Sequence, residues 1–141
     1  MQALETTQIE DNILSIDLLI KQFEGLDDPN ETVDYMQKIC ALQSLATETQ
    51  ASAKYRMLEA QDEWLEKILR AEINGYEGKD VSIKSIRFAP SIAKMRAEAK
   101  CRQMHYLYER TQRLSSAVSH TIDAVRTKIS YLKQEMYNGT Q

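Results

Sequence analysis

The chain has 141 residues, the size of one domain, with 28% charged residues, four glycines and two prolines. That composition argues against disorder or sheet as the dominant class and suits long helices. The net charge is only −3, but it hides a division. From Met1 to Asp34 nine acidic residues stand against Lys21 alone; from Lys79 to Lys133 twelve Lys and Arg stand against four acids.

The first predicted element is a short acidic helix, within residues 1–27. Ile9, Ile13, Ile16, Ile20 and Phe23 alternate spacings of four and three, the seam of a coiled coil. Leu14, Leu18 and Leu19 widen the stripe beyond what one partner helix covers, so the five seam residues are expected to form an oligomer interface. Gly25 suits a left-handed cap, and Asp27-Asp28-Pro29 cannot continue the helix.

A long helix is expected over 28–74, with Asp28 as N-cap, Pro29 at the first helical position and Glu31 three residues after the cap. Its stripe of Val33, Met36, Ile39, Leu42 and Leu45 thins at Ala46–Ala53, where every residue is small or polar. It resumes with Met57, Leu58, Trp64, Leu65, Ile68 and Leu69. The expectation is that the first helix covers the thin zone.

Residues 75–89 form a basic connection in which Val81, Ile83, Ile86 and Phe88 alternate with polar residues, which suggests a short extended strand. A second long helix follows over 90–138. Its heptad seam runs Ala97, Cys101, Met104, Tyr108, Thr111, Ser115, Val118, Ile122, Val125, Ile129, Leu132, Met136. Each long helix has about 45 residues and spans about 70 Å. Folded back antiparallel, they pair residues whose numbers sum to about 164. Val33 then meets Leu132, Met36 meets Ile129, Ile39 meets Val125, Leu42 meets Ile122, and Leu45 meets Val118. Leu58 falls near Tyr106, Ile68 near Met95, and Trp64 near Lys100. The expected fold is therefore all-α and a single domain over 1–141. It is an elongated antiparallel two-helix coiled-coil hairpin with a short N-terminal helix. Such a hairpin buries little surface per residue, so a homo-oligomer is expected.

Two cysteines give no disulfide framework, and the register keeps Cys40 far from Cys101, which fits a reducing, cytoplasmic setting. No signal peptide, membrane span or cofactor motif is read, and no small-molecule substrate is expected. Cys101, His105 and Glu109 share a helix face and could form half a zinc site, but the facing segment has no His or Cys to complete it. A buried structural cysteine is the plainer reading, and no metal is expected. His120 and Asp123 lie on one helix without a nucleophile, and Gly75–Lys79 lacks the spacing of a phosphate loop, so no catalytic residues are assigned. The chain is not expected to be an enzyme.

The basic run carries the functional expectation. Lys79, Lys84, Arg87, Lys94, Arg96, Lys100 and Arg102 are candidate nucleic-acid-binding residues, interleaved with Tyr76, Phe88, His105, Tyr106 and Tyr108. Cations that follow a phosphate backbone, with aromatic faces for stacking, suit single-stranded nucleic acid. The same stretch could instead match the acidic first helix of another subunit, or be a solvated face.

Three stretches resemble the UvsY-like recombination mediators of tailed phages. They are Leu58-Glu59-Ala60 leading to Gly75-Tyr76-Glu77-Gly78, the basic link after it, and Ile122-Asp123-Ala124-Val125-Arg126. The likeness covers residues 54 to 136. Thr127-Lys128-Ile129 stands where that family commonly has Arg-Gly-Phe, and the acidic first helix has no clear counterpart. The resemblance implies an oligomeric single-stranded-DNA-binding accessory factor in the cytoplasm of a phage host, with a recombinase or single-strand-binding protein as partner. The alternative is a protein-only adaptor or assembly component, such as a virion part, a secretion-stalk coiled coil or an inhibitor of a host enzyme.

Overall fold

The computed structural model describes residues 2–74 and 90–139, which form four α-helices and a 3-10 turn with no strand among them. The helices are α1 (Thr6–Gln22), α2 (Pro29–Asn74), α3 (Pro90–Lys100) and α4 (Arg102–Gly139). The fold is all-α. The strand expected around Val81–Phe88 lies outside the described residues, and no described helix is long and apolar enough to cross a membrane.

Local chemistry sets the ends. The Glu5 N–H donates to Gln8 Oε1 at 2.9 Å, the returning half of a capping box that starts α1. Asp28 Oδ1 accepts from the Asn30 N–H at 2.9 Å, and Pro29 opens α2 as its fixed φ permits. Gly25 departs from expectation. Its φ lies outside the left-handed region, because α1 leaves through the 3-10 turn Phe23–Gly25, closed by the Leu26 N–H on the Phe23 carbonyl at 3.2 Å. The single long helix expected over 90–138 is also interrupted. At Cys101 the N–H donates to the Glu98 carbonyl at 3.0 Å, a tightened three-residue turn that separates α3 from α4.

α2 packs against α3, α4 and α1, and α1 also touches α4. Ile39, Val125, Ile122, Val118 and Ala46 share one buried cluster with Ile16 and Tyr35. Met36, Leu42, Leu45 and Ile129 lie half-buried at its edge. The pattern does not close at its ends: Val33, Leu58, Met95 and Tyr106, expected to be paired, are exposed.

The thin zone of α2 is the seat of α1. Ala46, Thr49, Ser52 and Ala53 are all buried, and so is Thr111 on α4. Small residues let α1 approach, so Ile9 and Ile13 fill the space against Ala53 and Leu107. A fully buried isoleucine contributes about 1.5–3 kcal/mol. The polar groups there are matched. The Leu4 N–H donates to Ser52 Oγ at 3.0 Å, Asn12 Nδ2 to Thr49 Oγ1 at 3.2 Å, and Thr49 Oγ1 to the Leu45 carbonyl at 2.6 Å.

That seating corrects the reading of the first helix. Ile9, Ile13 and Ile16 are buried inside the chain, and Ile20 and Phe23 pack on the same core. The seam expected to meet another subunit meets α2 and α4 instead, because those helices have a gap only a third helix can fill. Leu14 and Leu18 remain outside, 58% and 62% exposed.

Candidate functional site

Of the seven candidate cations, Lys79, Lys84 and Arg87 lie outside the described residues. Lys94, Arg96, Lys100 and Arg102 are all exposed, on α3 and the first turn of α4. At about 100° per residue, Lys94 and Arg96 leave the helix on opposite flanks, and Arg102 points away from α2. The four cations surround the helix instead of forming one stripe.

Aromatic rings accompany several cations. Lys100 Nζ lies 5.6 Å from the centre of the Trp64 ring, as the register anticipates, and Lys67 Nζ lies 4.8 Å from the same ring. Lys67 follows Trp64 by three residues in α2, a helical neighbour that spacing alone could have identified. The Arg110 guanidinium is 5.9 Å from the centre of Tyr106, which is exposed, and Lys128 covers Phe23 at 5.4 Å. Other cations are spent on acids: Arg113 pairs with Glu109 at 3.6 Å and Arg126 with Asp123 at 3.7 Å.

The face of α3 and α4 turned from α2 has its own pattern. Ile92, Met95, Ala99, Arg102 and Tyr106 are exposed and alternate spacings of three and four. A hollow of about 430 Å³ opens there, lined by Met95, Glu98, Ala99, Arg102, His105, Tyr106 and Glu109. Its acids are engaged, Glu98 by Gln61 Nε2 at 3.4 Å and Glu109 by Arg113. This second heptad was present in the sequence and was masked by the stronger buried seam.

Cys101 is buried, and burial, reinforced by the Glu63 carboxylate, pushes its thiol above the ordinary range. A thiol held protonated is a poor nucleophile and a poor ligand. His105 Nε2 is buried without a hydrogen-bond partner among the described residues. No group of three or more His, Cys, Asp or Glu is placed to hold a metal among the described residues. Cys40 is exposed, and neither cysteine is bridged.

A further site was not legible in the sequence. Arg56 reaches back to the N-terminal segment, its Nε to the Leu4 carbonyl at 2.9 Å and its Nη2 to the Ala3 carbonyl at 3.0 Å. The same guanidinium bridges Glu5 and Glu59, each at 3.2 Å. Beside it a groove of about 1070 Å³ runs between residues 2–5 and the outer face of α2, lined by Gln43, Thr47, Glu48, Ala51 and Tyr55 among others. Its lining carries no paired nucleophile and base. The long-range partner of Arg56 leaves no periodic signal, so sequence reasoning had no handle on it. No family model matches the chain, and no curated protein or solved structure matches it.

Proposed function

We propose that this protein is a non-enzymatic, self-associating accessory factor that binds single-stranded nucleic acid, of the recombination-mediator type and cytoplasmic. In this reading α2 and the α3–α4 pair form an elongated antiparallel hairpin, and its basic half carries the phosphate backbone. The supporting observation is the charge division: twelve cations against four acids from Lys79 to Lys133, with Lys94, Arg96, Lys100 and Arg102 exposed. Exposed rings such as Tyr106 add stacking surface beside cations.

The test is binding of labelled single-stranded oligonucleotides at two salt concentrations. Affinity should fall with salt by roughly 0.7 log units per log unit of salt for each phosphate neutralised. Lys84→Ala, Arg87→Ala and Lys94→Ala together should weaken binding for every sequence alike and flatten that slope, while Lys38→Ala should do little. A wild-type protein that binds no single strand at low salt rules the reading out.

The second reading is a protein-only assembly component. It is favoured by the exposed apolar residues of α1 and α3, Leu14, Leu18, Ile92 and Met95, which suit protein contacts better than phosphates.

A further inference from the structure

Two exposed helix faces on this chain match each other better than either matches solvent. The outer face of α1 carries Asp11, Leu14 and Leu18, at spacings of three and four. The outer face of α3 and α4 carries Met95, Ala99 and Arg102 at the mirrored spacings. Laid antiparallel, Leu18 falls opposite Met95, Leu14 opposite Ala99, and Asp11 opposite Arg102. We propose that α1 of one copy docks on the α3–α4 outer face of a second copy in this register, joining subunits head to tail.

Four observations carry the pairing. Leu14, Leu18 and Met95 are 58%, 62% and 67% exposed, with Leu14 and Leu18 adjacent on one helix face and Met95 next to the exposed Ile92 on the other, so each face carries a contiguous apolar pair. The small side chain of Ala99 stands between Met95 and Tyr106 at the hollow of about 430 Å³, a hole of the kind a leucine knob enters. The ends are complementary in charge. Asp11 and Arg102 make no ion pair among the described residues, whereas Glu98 and Glu109, which line the same hollow as Arg102, are already held by Gln61 and Arg113. Finally, the inner seam of α1 is committed to its own core, so docking through the outer face requires no unfolding.

The parallel register that keeps the apolar pairs, Leu14 on Met95 and Leu18 on Ala99, would set Asp11 against Ile92 and Lys21 against Arg102, a like-charge contact, so the antiparallel register is preferred. The two faces are different surfaces of one chain, so the contact is heterologous and continues from copy to copy into a ring or an open filament. Arg102 then serves the joint, leaving the exposed Lys94 and Lys100 to any polyanion.

The joint does not depend on nucleic-acid binding, and its test contains none. Mass is measured by light scattering across a concentration series, with circular dichroism as the check on folding. Wild-type protein should weigh a multiple of 16.3 kDa. Asp11→Arg and Arg102→Asp, each alone, should stay helical and fall to 16.3 kDa. Leu14→Asp should do the same. Mixing the two charge variants should restore the larger mass, since each then offers the other an opposite charge at both faces. A wild-type protein that stays monomeric at high concentration overturns the proposal. So do single variants with wild-type mass, or a mixture that fails to reassociate.

Discussion

The guanidinium of Arg56, in the middle of α2, donates through Nε to the backbone carbonyl of Leu4 at 2.9 Å, fifty-two residues away in the chain. With the Ala3 carbonyl and the Glu5 carboxylate on the same side chain, one residue fixes where the N-terminal segment crosses α2. The Leu4 N–H on Ser52 adds a second tie one turn earlier. These ties hold the start of α1, and α1 supplies two of the largest fully buried side chains, Ile9 and Ile16.

Arg56→Ala should therefore cost about 1–3 kcal/mol, the penalty for removing a half-buried charge-assisted donor from its acceptors. The exposed Glu5 carboxylate adds little to that figure, because solvent screens it. Arg56→Lys should recover only part of the loss, since an ammonium cannot reproduce the two-pronged reach to successive carbonyls. Urea unfolding measures the stability. Hydrogen exchange across Thr6–Gln22 should show faster opening at the first turn of α1. Unchanged stability together with unchanged exchange would refute this role.

Ile16 and Leu18 sit two residues apart on α1 and should behave oppositely. Ile16 is fully buried in the cluster with Ile39 and Val125, so Ile16→Ala should destabilise by about 2–5 kcal/mol. Leu18 is exposed, so Leu18→Ala should change the stability of the dilute protein by less than about 0.5 kcal/mol. Chemical denaturation of both variants at low concentration decides it. Equal effects would mean that α1 does not present the face described.

Tyr35 ties the end of α1 to the start of α2. Its hydroxyl donates to the Leu19 carbonyl at 2.6 Å, its ring stacks on Phe23 at 5.9 Å, and burial raises its pKa above the ordinary tyrosine value. A raised folded-state pKa means the folded protein holds the proton more tightly than the unfolded chain. The contribution is fully present below the unfolded value of about 10 and is lost as pH rises through the higher folded value. Cys101 acts in the same direction, with its thiol also raised by burial and then by Glu63. Stability should thus decline on the alkaline side. Tyr35→Phe should cost about 1 kcal/mol at neutral pH and make that decline shallower. Melting temperatures from pH 7 to 11 test this; an identical alkaline slope in the variant would contradict it.

The sequence by itself determined the helices and most of the inner seam. Pro29 and Asp28 marked the start of α2, and the spacing of Val118, Ile122 and Val125 marked the buried face of α4. Even the nearness of Lys100 to Trp64 followed from counting along the register. Those features are local or periodic, and periodicity survives in a linear string. Periodicity reports that a face is covered but is silent on what covers it. Ile9, Ile13 and Ile16 read equally well as an interface between copies or as a core within one. The thin zone at Ala46–Ala53 already called for a covering helix, but only the tertiary structure decided that Ile9, Ile13 and Ile16 are the residues committed to it, since they lie in the same buried clusters as Ala46 and Ala53. The same holds for Arg56, whose partners stand some fifty residues away, and for the turn at Cys101, where the second long helix changes its hydrogen bonding without any proline or glycine to announce it. Side-chain type fixes what a residue can bond; the fold alone brings the acceptor within 3 Å, a constraint set by packing geometry between distant segments.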